Sequence, residues 1–264
     1  MVARGSRATG PAPPAPHGQH FLDRKLGAEL VRRARIAPHE TVFEIGAGTG
    51  ALTRELARVA KFVLAIEVDP RLAAGLRRTC AEAGNIAVIE ADALRNPLPR
   101  VPFRAFGNIP FASTTALMRR LLDDPRTTMT AADLIVQWEV ARKRTASPPG
   151  NVLSLCWGTR WSFEIARRIP AAAFRPKPHV DGALLAIRPL DPPLLRLEEA
   201  RPFEKLVRIA FLRAGEPLAR ALRPVCRSSE VRRLQRKLCL PSSARPIDLD
   251  VQEWVTVYRF LGRS

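Results

Sequence analysis

The sequence predicts an α/β fold, a doubly wound parallel sheet followed by a small all-helical C-terminal domain. Three observations carry that prediction. Short apolar runs alternate with amphipathic stretches from residue 18 to about 190, and parallel strands need long, usually helical, crossovers. A glycine-rich turn, Gly46-Ala47-Gly48-Thr49-Gly50, sits between a strand-like and a helix-like segment. After Pro189-Leu190-Asp191-Pro192-Pro193 the strand pattern stops and only helical spacing continues.

Residues 1–17 are rich in Pro, Ala and Gly without apolar periodicity and read as a disordered tail carrying Arg4 and Arg7. Leu22, Leu26, Leu30 and Val31 fall at helical spacing. Thr41 to Ile45 reads as a buried strand, and Ala51, Leu52, Leu56 and Val59 as the helix after the glycine turn. Phe62 to Val68 is the next strand, followed by a helix opening at Pro70, which suits a first helical turn. Further strands are expected at Ile86–Glu90, Ala105–Ile109, Leu134–Trp138 and Ala183–Ile187. Beyond residue 190 the helical sets are Phe203, Leu206, Val207 and Ala210, then Val231, Leu234 and Leu238, then Val251, Trp254, Val255 and Tyr258. The chain therefore divides into a tail (1–17), an α/β domain (18–190) and a helical domain (191–264).

At 264 residues, 46% hydrophobic and 26% charged, the chain is long enough for a large core plus a smaller one. Its formal net charge of +18 excludes an ordinary enzyme of small neutral metabolites and implies a polyanionic partner. The excess is uneven. Residues 18–99 carry 12 basic against 10 acidic residues, 100–190 carry 14 against 6, and 191–264 carry 15 against 9. A near-neutral front half joined to a basic back half suggests a small-molecule site beside a polyanion-binding surface. No apolar run approaches the roughly 20 residues of a membrane span, and no signal-peptide core is present, so a cytoplasmic protein is expected. Cys80, Cys156, Cys226 and Cys239 show no metal or disulfide spacing with one another or with His17, His20, His39 and His179, and are read as buried, reduced thiols with no metal site.

Glycines at a strand-to-helix junction let the backbone turn sharply beside the free N–H groups of a helix N-terminus. Gly46-x-Gly48 followed by Ala51 fits both dinucleotide and other adenosine-bearing cofactors. Glu67, ending the next strand, is placed to accept ribose hydroxyls in either case. Asp92, just past the third strand, is placed to accept a hydrogen bond from a cofactor's adenine amine.

Phe106-Gly107-Asn108-Ile109-Pro110-Phe111 narrows the chemistry. It lies at the strand end where ligands of α/β sheets bind. An aromatic amine is a poor nucleophile because its lone pair is delocalised into the ring. An acceptor pair made of the Asn108 carboxamide oxygen and the Ile109 carbonyl holds such a nitrogen in line with a methyl donor and stabilises its developing charge. Pro110 fixes the backbone and Phe111 offers a face for stacking a base. The alternatives are a core-packing strand end, a non-catalytic nucleic-acid-binding protein on the same fold, and a nicotinamide-dependent oxidoreductase. The last leaves the Asn108 motif and the charge unexplained.

With these motifs in register the chain resembles the rRNA adenine N6-methyltransferases, and within them the macrolide-resistance (Erm-type) methylases of large-subunit rRNA. The resemblance runs from about Gly18 to Pro189. It is carried by Gly18-Gln19-His20-Phe21-Leu22, the Glu44 to Gly50 loop, Ala65-Ile66-Glu67-Val68-Asp69, Asp92, Asn108 to Phe111, and Phe174-Arg175-Pro176-Lys177-Pro178-His179-Val180. It implies a class I, Rossmann-like methyltransferase using S-adenosylmethionine, held by Gln19, His20, Leu22, Gly46, Gly48, Glu67, Asp92 and Asn108. Catalytic positions are then Asn108, Ile109, Pro110, Phe111 and Phe174, the last an aromatic closing over the other face of the base. His20 stands where the family has Asn, and Phe111 where it often has Tyr. Ile109 and the run Pro176-Lys177-Pro178 depart from the small-subunit dimethyladenosine enzymes, which usually show Leu and a Pro-Pro-Pro run.

The implied partner is 23S rRNA, in the domain carrying the peptidyl-transferase loop, bound by a monomer. The target adenine must leave its stack to react, and Phe111 and Phe174 are expected to sandwich it. Candidate phosphate contacts are Arg119, Arg120, Arg142, Lys143, Arg144, Arg167, Arg168, Arg175 and Lys177. Arg208, Arg213, Arg220, Arg223, Arg232, Arg233, Arg236 and Lys237 extend the basic character into the helical domain.

Overall fold

The computed structural model describes residues 20–262. The tail expected over 1–17 and the candidate cofactor residue Gln19 lie outside them. The chain opens with β1 (Phe21–Leu22), α1 (Arg24–Ala34), β2 (Thr41–Ile45), α2 (Thr53–Ala57), β3 (Phe62–Glu67), α3 (Pro70–Thr79) and β4 (Ile86–Glu90). It continues with β5 (Phe103–Asn108), α4 (Thr114–Leu122), β6 (Met129–Gln137), α5 (Trp138–Thr145) and α6 (Val152–Gly158). Next come β7 (Trp161–Ile169), β8 (Phe174–Arg175) and β9 (Gly182–Pro189). Four helices finish it: α7 (Ala200–Phe211), α8 (Leu218–Ala221), α9 (Ser228–Lys237) and α10 (Val251–Leu261).

Seven strands form one sheet in the order β4-β3-β2-β5-β6-β9-β7, and β1 pairs separately with β8. The doubly wound fold is observed. Strands β4 to β6 are parallel, but β9 runs antiparallel to both β6 and β7, which corrects the expectation of parallel pairing throughout. Strand β7 has no counterpart among the expected strands. Its alternation, Trp161, Phe163, Ile165, breaks at a register shift between Ile165 and Arg167, and as an edge strand it carries Glu164, Arg167 and Arg168. Charges and bulges on edges suppress pairing with other chains and also blur the period of two. Leu22, expected on the first helix, instead lies in β1; the helix starts at Arg24, where the Asp23 carboxylate accepts from the Leu26 N–H at 2.8 Å.

Residues of the central strands are buried on both faces. One apolar cluster joins Phe43, Ile45, Phe103, Leu117, Met118 and Leu134, and a second joins Leu30, Val42, Leu56, Val63, Phe106 and Phe174. The helices α7 to α10 gather around Phe203, Leu206, Leu234 and Trp254, and Leu155 of α6 packs into the same cluster. Below the sheet, Arg104 on β5 binds Asp133 on β6 at 2.7 Å and Glu40 at 3.2 Å, while Arg188 on β9 takes the other Asp133 oxygen at 2.7 Å. Thus charged pairs tie together three neighbouring strands, β5, β6 and β9. The thiols are not all buried as expected: Cys80 is, Cys156 and Cys226 are half-buried, and Cys239 is exposed.

Candidate active site

The carboxyl ends of β2, β3 and β5 converge on one small cavity of about 40 Å³, lined by His20, Phe21, Gly46, Gly48, Glu67, Asn108, Ile109, Pro110 and Phe111. Residues as far apart in sequence as His20 and Phe111 meet there, largely because parallel strands present all their carboxyl ends on one edge. Gly46, Gly48 and Gly50 all have positive φ, at 72°, 56° and 81°. At Gly48 a Cβ would stand 3.1 Å from the Phe21 ring, so this turn needs glycine both for its backbone and for the close approach of β1.

Glu67 organises the floor. It is buried, and its two oxygens accept from the Gly48 N–H at 2.7 Å and the Asp69 N–H at 2.9 Å. Both backbone N–H groups come from the turns that follow β2 and β3, so Glu67 ties the glycine turn to the start of α3. Asp69 also caps α3, accepting from Arg71 and Leu72 before Pro70 in the first turn.

Asn108, half-buried, ends β5. Its Nδ2 donates to the His20 carbonyl, which leaves Oδ1 as the amide's acceptor. Ile109 is buried and its N–H donates to the Ile135 carbonyl at 3.1 Å, pinning the turn into Pro110. Phe111 opens a short 3-10 turn to Ser113.

His20 is the clasp over this edge. Its Nδ1 lies 2.8 Å from the Pro176 carbonyl, and its ring sits 5.5 Å from that of Phe111 at 40°. Phe174 is 0% exposed and stands edge-on to Phe111, 6.5 Å away at 74°. The two rings therefore do not face each other across a slot; in this arrangement Phe174 buttresses Phe111. Leu22 is also buried, pairing with Phe174 between β1 and β8. Asp92 lies outside the cavity, exposed, with one oxygen accepting from Leu94 N at 2.8 Å.

The expected basic wall is partly consumed in internal contacts. Arg119 pairs with Asp123, Arg142 with Glu139, Arg167 with Glu29 and Arg168 with Asp181. Arg120 donates to the Asn96 carbonyl, and Arg144 binds Asn151 and Ser154 while its guanidinium lies 4.8 Å from the Trp157 ring centroid. Arg175 donates to the Ala172 and Phe174 carbonyls. Lys143 and Lys177 are exposed and form no ion pair among the described residues. In the helical segment Arg208 pairs with Glu204, Arg213 and Arg220 flank Glu216, and Arg233 lies over Phe260, whereas Arg223, Arg232, Arg236 and Lys237 are exposed.

Two residues acquire significance only in three dimensions. Phe21 covers the glycine turn. Glu44, two residues before Gly46, is 0% exposed, and neither of its oxygens has a hydrogen-bond partner of ordinary geometry. Burial pushes its carboxyl up to about 8, with Glu67 adding to the shift and Thr53 and Arg54 opposing it. The sequence signal for Glu44 was an acid inside an otherwise apolar strand.

Residues 15–261 match the family model described as ribosomal RNA adenine dimethylase. The chain belongs to this family. Members act as enzymes of adenine methylation in rRNA. An rRNA adenine N-6-methyltransferase of Corynebacterium diphtheriae is 36% identical over 208 residues, 78% of this chain and 81% of its own. The mycinamicin-resistance protein MyrB of Micromonospora griseorubida is 35% identical over 243 residues, 92% of this chain and 77% of its own. Among solved family structures, the 23S rRNA methyltransferase ErmE superposes with a TM-score of 0.82 at 31% identity, covering 92% of this chain and 99% of its own. A dimethyladenosine transferase from Plasmodium falciparum shares the fold, with a TM-score of 0.77 at 22% identity.

Proposed function

We propose that this family member transfers a methyl group from S-adenosylmethionine to N6 of one adenine in 23S rRNA, with resistance to macrolide-type antibiotics as the outcome. The observation that carries the reading is the common cavity of Glu67, Gly46, Gly48 and the Asn108–Phe111 turn, which puts a cofactor floor and an amine acceptor on one sheet edge. Support for the large subunit comes from the likeness to a 23S enzyme at 31% identity and to a mycinamicin-resistance protein.

The residues fit S-adenosylmethionine. The buried Glu67 carboxylate suits ribose hydroxyls, and the positive-φ turn at Gly46 and Gly48 leaves room for close backbone approach. When bound, this group supplies an electrophilic methyl. Asn108 Oδ1 accepts one N–H of the adenine amine, because Nδ2 is held by His20, and the Ile109 carbonyl accepts the other. Both acceptors strengthen as the nitrogen becomes positive, so they stabilise the transition state more than the ground state. Phe111 supports the ring from one face. The cavity of about 40 Å³ has room for little more than a water, so His20 and Phe111 must separate to admit a base.

The test is transfer of radiolabelled methyl to separate unmodified large- and small-subunit rRNA, with the label mapped by primer extension and the product analysed for one or two methyls. Label at N6 of a single large-subunit adenine is expected. Label on small-subunit RNA alone would reassign the substrate to that subunit.

A further inference from the structure

The reactive edge of the sheet continues beyond Asn108 onto β6, β9 and β7. Ile135 stands opposite Asn108, and Trp138 follows three residues later, about 10 Å along at roughly 3.3 Å per residue. The Trp138 N–H donates to the Asp181 carbonyl at 2.9 Å. The Arg168 guanidinium lies 4.8 Å from the Trp138 ring centroid. Its Nε and Nη2 bind one Asp181 oxygen at 2.9 and 2.7 Å, while the other Asp181 oxygen accepts from the Ala171 N–H at 2.8 Å. The Ala171 N–H and the Arg168 guanidinium hold the Asp181 carboxyl below the usual carboxylate range, so the pair stays ionised at neutral pH.

A phosphate contact requires donors and charge to spare. Here two of the guanidinium nitrogens and much of its charge are already committed to Asp181. What remains is an exposed guanidinium seated over an aromatic ring: Trp138 packs on the core, the guanidinium carbon lies over its ring, and the Arg168 side chain is 60% exposed. Splayed-out RNA bases stack on such planes. Arg168 stands opposite Ala183 on β9, and Ala183 opposite Val136 on β6, so its backbone lies three strands from Asn108, roughly 14 Å at about 4.8 Å per strand; that is about four stacked base steps of 3.4 Å, so this surface meets a neighbour of the reacting base and not that base.

We propose that Arg168, backed by Trp138 and fixed by Asp181, is a stacking platform for a nucleotide flanking the target adenine. This assignment rests on the reading of the site as an RNA adenine methyltransferase.

The experiment uses the full chain and the shortest rRNA fragment that it methylates, in a set with single abasic positions on either side of the adenine. R168K keeps the charge and loses the plane; W138L removes the backing. Both are expected to weaken RNA binding about tenfold, with unchanged S-adenosylmethionine affinity and an unchanged slope of log affinity against log salt. One abasic fragment should bind wild type and R168K equally. Wild-type affinity in R168K makes the residue a simple charge and overturns the platform. So does a persistent difference between wild type and R168K on every abasic fragment. Absence of methyl transfer by the wild-type chain to any rRNA overturns the methyltransferase reading together with this one.

Discussion

The carboxamide nitrogen of Asn108 donates a hydrogen bond to the backbone carbonyl of His20, 88 residues earlier in the chain. A carboxamide is ambiguous, one end donating and the other accepting. The His20 carbonyl, being acceptor only, resolves that ambiguity and aims Oδ1 at the cavity.

Asn108→Ala therefore removes the acceptor while leaving the cofactor floor intact. Single-turnover methyl transfer should fall by at least about 100-fold, with S-adenosylmethionine affinity changed little. Asn108→Asp keeps an acceptor but faces the His20 carbonyl with a second one, so it should lie between wild type and Ala. Full activity in Asn108→Ala would refute the acceptor role.

Glu44 makes stability depend on pH. Its carboxyl titrates near 4.5 when unfolded and about 8 when folded, so the folded protein holds a proton that the unfolded chain releases between those values. The associated stability is fully present below pH 4.5 and is lost as pH rises through 8. Glu44→Gln removes the titration. Its unfolding free energy relative to wild type, from denaturant titration, should rise from pH 5 to pH 8.5 by on the order of a few kcal/mol. A pH-independent difference would mean that Glu44 is not the proton carrier.

Asp133 is buried between Arg104 and Arg188. Asp133→Ala leaves the buried Arg104 with Glu40 as its remaining carboxylate and takes the carboxylate from Arg188, and should cost about 3 kcal/mol in denaturant unfolding. Arg104→Met with Asp133→Leu, which removes two partners together, should recover much of that loss. A double variant as unstable as the single would show that the pair contributes more than mutual neutralisation.

Lys143 and Lys177, exposed and without ion pairs among the described residues, are the phosphate contacts we predict among the basic candidates. Each Lys→Ala change should weaken RNA binding across sequences and lower the salt slope by about 0.7–0.9. Arg119→Ala, whose partner is Asp123, should leave the slope unchanged. Filter binding from 50 to 200 mM salt measures both; an unaltered slope in the lysine variants would remove them from the interface.

The parallel half of the sheet was legible because fully buried strands are unbroken apolar runs. Ile86–Glu90 and Thr41–Ile45 fall where the pattern placed them. Strand β7 was not, since its bulge and three charged residues erase the alternation. The glycine turn, Glu67 and Asn108 each gave a weak signal by itself, and their shared register was the stronger one; in the fold they line one cavity because each stands at the carboxyl end of a parallel strand. Phe174 was readable as a residue but not in its orientation, which depends on packing against Gly182, where a Cβ would approach its ring to 2.9 Å. Arg168 stood out as a charge, and its pairing with Asp181 depends on the turn that returns β7 into β9.

The pairing of β1 with β8 also sets an order on the making of the site. His20 binds Pro176 across 156 positions, so during synthesis from the N-terminus the glycine turn and Asn108 emerge well before the residue that secures His20 over them. A nascent chain ending near residue 150 already contains β2 to β6 yet has no partner for β1. The clasp over the cavity, and with it the alignment of Asn108, is completed only when the segment around Pro176 follows.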